Sequence, residues 1–162
     1  MATPETEPWR PAICPLGEDH LHEIIGFRHR MMSECGMAAM LNENWYALTH
    51  EHYREQFLSG QCQHHGAFVQ GTLVATAGAI LRTGWPYNTF LKPRAGWIMD
   101  VYVLPEYRNR GLARLVTLAS MSWLRSQEVG DIRLVASAQA KALKVYEPLG
   151  FVPSNEMRLT QV

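Results

Sequence analysis

This 162-residue chain lacks any excess of charge: 15 Lys and Arg balance 15 Asp and Glu, giving a formal net charge of zero. Proteins that grip polyanions draw on a positive field, so the balance argues against nucleic acid or an anionic membrane as partner. Cysteine is scarce as well. Cys14, Cys35 and Cys62 are three, widely separated, without a C-x-x-C pair. That set argues against a disulfide framework and points to a reducing compartment. No run approaches the roughly 18 apolar residues that a membrane span needs. The opening "MATPETEPWRP" has no basic start followed by an apolar stretch, so no secretory leader is expected. The expected location is the cytoplasm.

Common nucleotide and metal signatures are missing too. There is no G-x-x-x-x-G-K-[ST] phosphate loop and no G-x-G-x-x-G dinucleotide turn. In "HEH" (His50–His52) and "DHLHE" (Asp19–Glu23) the histidines stand two apart, which on a helix faces them in different directions. Neither makes H-E-x-x-H, and no metal is expected. His64 and His65 fall in a turn-like stretch, where solvation or a local hydrogen bond accounts for them.

What is present describes one domain over residues 1–162, with a loose Pro-rich tail to about residue 11. Apolar residues are 47% and charged residues 19%, the balance of a soluble globular protein. An edge strand is expected near Ala12 to Pro15. Leu21, Ile24, Ile25, Arg28, Met31 and Met32 recur at helical spacing from Asp19 to Glu34, and Gly36 ends that helix. A second helix is predicted from Thr49, as N-cap, to Leu58, with Tyr53 and Phe57 inward and Gly60 as its stop. "GAFVQGTLVATAGAIL" predicts a hairpin about Gln70-Gly71-Thr72. After the breaker-rich "RTGWPYNTFLKPRAG" comes a strand, "WIMDVYVL", then an amphipathic helix marked by Leu112, Leu115, Val116, Ala119 and Trp123 and closed by Gly130. "IRLVAS" predicts a strand, "AQAKALKVYEPLG" a short helix, and "FVPSNEMRLTQV" one or two closing strands. The strand–helix–strand unit from Trp97 to Ala136 implies a right-handed parallel crossover beside an antiparallel hairpin. The class is α/β (α+β mixed), with a mixed central sheet.

The chemistry concentrates in "VYVLPEYRNRGLAR", Val101 to Arg114. Arg108, Arg110 and Arg114 crowd a helix start, where positive side chains oppose the helix dipole unless an anion sits among them. Unpaired N–H groups at such a start, approached over Gly111 and the small Ala113, suit a pyrophosphate. Arginine adds bidentate, charge-assisted hydrogen bonds.

The spacing Arg108-x-x-Gly111-x-Ala113 closely resembles the coenzyme A signature of the GNAT acyltransferase superfamily, [RQ]-x-x-G-x-[GA]. "QAKALKVYEPLGF" is similar to its second hallmark, a helix carrying a tyrosine ahead of an L-G-F turn. The resemblance covers roughly Trp97 to Phe151 and implies a GNAT-like fold, with two parallel strands splayed around the pantetheine arm and helices flanking the sheet. It implies acetyl-CoA as co-substrate, no metal, and a small-molecule or peptide amine as acceptor. Val101, Tyr102 and Val103 would meet the pantetheine through main-chain groups. Arg108, Asn109, Arg110, Gly111, Leu112, Ala113 and Arg114 would hold the diphosphate. Gln139 stands where many relatives carry Asn at the coenzyme. Tyr146 would protonate the leaving thiolate, and a main-chain N–H near Val101 would steady the oxyanion. Asp100 is the one acid on the central strand. Strict alternation places it with Ile98 and Tyr102, opposite Val101 and Val103. It reads either as general base, re-aimed by the bulge that relatives often carry there, or as a buried acid with a structural partner. Cys35–Trp45 and Thr83–Gly96, with Trp45, Tyr46, Trp85, Tyr87 and Phe90, would shape the acceptor site. Homodimers are common among such relatives. Two other readings stay open: an acyl-CoA-binding sensor without chemistry, and a nucleotide-binding fold of another kind.

Overall fold

The computed structural model describes residues 9–84, 93–136, 142–157 and 159. Five strands form one sheet in the order β1 (Ala12–Leu16), β2 (Cys62–Val69), β3 (Thr72–Thr83), β4 (Arg94–Val103) and β5 (Asp131–Leu134). The first three pairings are antiparallel and β4–β5 is parallel, which is the mixed sheet expected. Gln70 and Gly71, at φ 49° and 78°, make the two-residue turn between β2 and β3. Two successive positive φ angles give the turn whose twist matches the hairpin.

Helices α1 (Leu21–Glu34) and α2 (Trp45–Leu58) cover one face, and α3 (Leu112–Ser126) covers the other. Leu21, Ile24, Ile25 and Tyr53 pack with Leu16 on the first face. Leu112, Val116, Met121 and Leu124 of α3 pack on Val74, Ala75, Ala77, Ala79 and Ile98 on the second. Burying these stripes is the main source of stability for helices of this length.

The chain departs from expectation at three places. Helix α2 begins at Trp45, four residues before Thr49, because Asn42 organises the approach. Its side chain accepts from the Asn44 N–H at 2.9 Å and its carbonyl from the Trp45 N–H at 3.1 Å. Strand β2 begins at Cys62, so His64 and His65 lie in a strand and are buried, not in a turn. Residues 151–157 form no strand: Pro153 lacks an N–H, and Val152 and Met157 are exposed. Among the described residues, no helix is long and apolar enough to cross a membrane.

Candidate active site

The site is built around an irregularity in β4. Thr76 pairs with Tyr102 and Gly78 with Met99, so Ala77 faces two residues, Asp100 and Val101. This is a β-bulge, and Asp100 sits in the left-handed region at φ 53°. The extra residue breaks the alternation. Ile98 and Val101 pack with α3, whereas Met99 packs with the α1–α2 cluster and Tyr102 against Phe27 of α1. Asp100 therefore shares a face with Tyr102 but not with Ile98, a correction to strict alternation.

On that face the Asp100 carboxylate is enclosed by donors from three elements. Arg28 of α1 donates to Oδ1 at 2.5 Å, the Tyr53 hydroxyl of α2 donates to Oδ2, and His64 Nε2 of β2 lies 3.1 Å from Oδ2. An ionised carboxylate only accepts, so His64 carries its proton on Nε2. Burial alone would raise the Asp100 pKa, but the His64 hydrogen bond and the Arg28 charge outweigh it and hold the group down at about 2. Burial, with the Asp100 charge next, pushes the Tyr53 phenol well above its ordinary range and the Cys62 thiol up to about 12. Both stay protonated at neutral pH. Room for His64 comes from Gly78, where a Cβ would lie 2.5 Å from Nε2. Phe57 stacks on the imidazole with centroids 5.6 Å apart.

The main-chain groups at the bulge are also satisfied. The Thr76 hydroxyl donates to the Asp100 carbonyl at 3.1 Å, and from the opposite face the Ser120 hydroxyl of α3 donates to the Ala77 carbonyl at 3.0 Å. With the Ser120 proton committed there, His65 Nδ1, 3.0 Å away, is the donor to Ser120 Oγ. Burial, then neighbouring His64, lowers the His65 pKa from 6.5 to about 4. The unfolded chain thus binds a proton that the folded one refuses between those values, so stability falls as pH drops through the window. The slope approaches about 1.4 kcal/mol per pH unit. Urea midpoints measured from pH 7 down to 5 should show this decline; a flat profile contradicts it.

Beyond the bulge the other edge of β4 opens. Strand β5 pairs with β4 only from Ala95↔Asp131 to Ile98↔Leu134. Among the described residues, no strand pairs with Met99 to Val103 on that side, which leaves main-chain groups there for a ligand, apart from the Val103 carbonyl, which accepts from Arg108. The chain then turns through Pro105–Tyr107 into α3. Asn109 (φ 61°) and Gly111 (φ 78°) adopt the left-handed conformation just before the helix. Gly111 is the N-cap, no side chain caps the helix, and the first turn contains no acid. Its leading N–H groups are those a helix leaves without intrahelical partners. A Cβ at Gly111 would meet nothing within 4 Å, so open space lies over the turn.

The three arginines do not act alike. Arg108 bends back: Nε donates to the Val103 carbonyl at 3.0 Å, and Nη2 lies 2.9 and 2.7 Å from the two Glu34 carboxylate oxygens. Tyr102 donates to the same carboxylate at 2.6 Å. The Arg108 side chain, expected at a diphosphate, thus ties the end of α1 to the end of β4. Glu34 is held below the usual carboxylate range, first by Tyr102 and then by Arg108. Arg110 lies over the rings of Trp9 and Tyr107, at 5.5 and 5.8 Å from their centroids. Arg114 is exposed, without an ion pair among the described residues.

A splayed β4–β5 pair, a bulge at the point of divergence and an uncapped, glycine-opened helix mark one architecture. A family model described as the acetyltransferase (GNAT) family matches residues 28–151. The chain belongs to the GNAT family. A mycothiol acetyltransferase of Rhodococcus opacus (strain B4) is 39% identical over 61 residues, covering 37% of this chain and 20% of that protein. The one from Thermobispora bispora is 43% identical over 60 residues, covering 35% and 20%. The similarity thus spans about a fifth of these curated relatives' length. Among solved structures, a predicted acetyltransferase with acetyl-CoA from Clostridium acetobutylicum superposes with a TM-score of 0.83 at 18% identity, covering 94% of this chain and 96% of that one. An aminoglycoside N-acetyltransferase in complex with CoA gives 0.76 at 17% identity, covering 99% of each chain. At such identities the likeness establishes the fold alone.

Within this GNAT fold, Tyr146 ends the short helix α4 (Leu143–Tyr146) and is buried against Phe151, with ring centroids 6.0 Å apart. Burial raises its pKa to about 12. Among the described residues its hydroxyl has no hydrogen-bond partner. Gln139, Trp85, Tyr87 and Phe90 lie outside the described residues. Trp45 stacks on His29 at 5.3 Å between centroids, and the Tyr46 hydroxyl lies 2.8 Å from His22 Nδ1. These two rings are therefore engaged with the α1–α2 surface. Sequence reasoning missed Tyr53, His64, Thr76 and Ser120 as partners of the bulge. One signal was present: Arg28 interrupts an apolar stripe, and a cation there requires an acid across the interface.

Proposed function

We propose that this protein transfers an acetyl group from acetyl-CoA to a primary amine by direct attack on the thioester. The observation that carries the reading is the adjacency of an open main-chain edge, Met99 to Val103, and an uncapped helix start opened by Gly111. The edge suits the amides of a pantetheine arm, with Val101 and Val103 offering main-chain groups; Tyr102, also expected there, pairs with Thr76 and turns its own toward β3. The N–H groups of Asn109 to Ala113 suit a diphosphate, with Arg110 and Arg114 adding positive charge. Arg108 contributes its main chain and shapes the turn through Glu34. A main-chain N–H near Val101 receives the developing oxyanion, and Tyr146 donates to the departing thiolate sulfur. No covalent intermediate is needed, since a positioned amine attacks a thioester directly. With three donors on its carboxylate and a pKa near 2, Asp100 is assigned to the scaffold and not to proton abstraction.

The relatives' names, mycothiol acetyltransferase and aminoglycoside N-acetyltransferase, support a small-molecule acceptor. Thiol release from acetyl-CoA across a panel of amines, aminoglycosides included, tests the reading alongside thermal stabilisation by CoA. Stabilisation together with thiol release is expected. Stabilisation without turnover on any amine would make the protein a binding module. Stabilisation by ATP or NAD but not by CoA would end the proposal.

A further inference from the structure

Four side chains converge beneath the bulge; three of them come from outside both the open edge and the Gly111 turn, and the fourth, that of Asp100, is buried although its main chain lies in that edge. Arg28, Tyr53 and His64 come from α1, α2 and β2, and all three bind one carboxylate. Resting on the acetyl-transfer reading above, we propose that the Arg28–Tyr53–His64–Asp100 quartet is a positioning device for the β4 bulge. It fixes the main chain at Val101 toward the thioester carbonyl.

A residue with a Cβ in the left-handed region is held there against a preference of roughly 1–2 kcal/mol. Asp tolerates that region better than most residues, yet without restraint the bulge would be free to shift along β4. The restraints come from both faces of the sheet. Below, three donors hold the Asp100 side chain, and Thr76 holds its carbonyl. Above, Ser120 holds the carbonyl of Ala77, the residue opposite the bulge, and His65 fixes Ser120 in turn. The Asp100 side chain is 1% exposed, so no substrate group reaches it directly. Its influence on the reaction passes through the peptide unit it shares with Val101. A main-chain donor acts on a developing oxyanion only when its direction is fixed beforehand, and displacements near 1 Å lower rates by up to about a hundredfold.

A purely stabilising network makes a different prediction, because it would leave the folded enzyme's chemistry unchanged. Tyr53→Phe separates the two, since it removes one donor and keeps the ring that packs against His64. Three measurements on the full chain apply: acetyl-CoA affinity by calorimetry, the infrared frequency of the bound thioester carbonyl, and kcat against KM for thiol release. The expected variant binds acetyl-CoA within about threefold of wild type, loses most of the carbonyl shift seen on binding, and loses about tenfold in kcat at similar KM. Without any coenzyme, the backbone amides of Met99 to Tyr102 should exchange faster in the variant than in wild type. A folded variant with wild-type exchange, carbonyl frequency and kcat overturns the inference. Failure of wild type itself to bind acetyl-CoA would instead refute the acetyl-transfer reading, while the amide exchange would still report on the clamp.

Discussion

Tyr146→Phe is expected to lower turnover about a hundredfold while leaving CoA affinity near wild type. The proposed reaction expels a thiolate, and charge develops on sulfur as the carbon–sulfur bond breaks. Tyr146 is buried, its pKa is raised to about 12, and no described group uses its hydroxyl. A phenol so disposed stays protonated across the neutral range, and its donor is uncommitted among the described residues. Phenylalanine keeps the packing on Phe151 and deletes only that donor, so the effect should fall on kcat and not on KM for acetyl-CoA. The size matches the loss of one preorganised donor to a developing anion, about 10²–10³ in kcat elsewhere. Equal turnover in the Phe variant would remove Tyr146 from the chemistry.

Asp100→Ala should cost about 3 kcal/mol of folding stability, the lower end of the range for deleting one partner of a buried ion pair, because the Arg28 side chain is 34% exposed and can be hydrated. The deletion leaves Arg28 without its counter-charge and strands the Tyr53 hydroxyl and His64 Nε2–H in a site closed to water. It also removes the side chain that holds a left-handed residue in place. A urea titration should show a much lower midpoint at similar slope. The same pair sets an acid limit. Asp100 titrates lower in the folded chain than in the unfolded one, so its contribution is complete above about pH 4 and vanishes as pH falls toward 2. A loss below about 1 kcal/mol in the Ala variant would mean that the carboxylate is solvated and only locally bonded.

The fold was legible in the sequence, as was the helix start expected to hold the coenzyme, because both depend on local pattern. Gln70-Gly71 encodes its turn, Leu112 to Trp123 encodes an amphipathic helix, and the Arg108–Ala113 spacing encodes a particular helix start. The interior polar network was not legible in the same way, because it is assembled from residues 24 to 72 positions apart. His64 and His65 look like turn residues until β1 and β3 pair on either side of β2. Each then needs a buried partner, and Asp100 and Ser120 meet that need. The bulge, too, depends on pairing: Asp100 falls on the face of Tyr102 and off that of Ile98 because Ala77 faces two residues. Arg108 illustrates the limit of a motif. Its position in the signature is met, yet Glu34, 74 residues earlier, takes its guanidinium.

Coenzyme A is expected to lie along the open edge of β4 with its diphosphate over the Gly111 turn. Titrating CoA into isotope-labelled protein and following backbone amide resonances tests this residue by residue. Val101, Val103 and Asn109 through Ala113 should shift together on a single saturation curve, with the amides of β1 unmoved. Saturable binding that shifts other amides and leaves these in place would contradict the account.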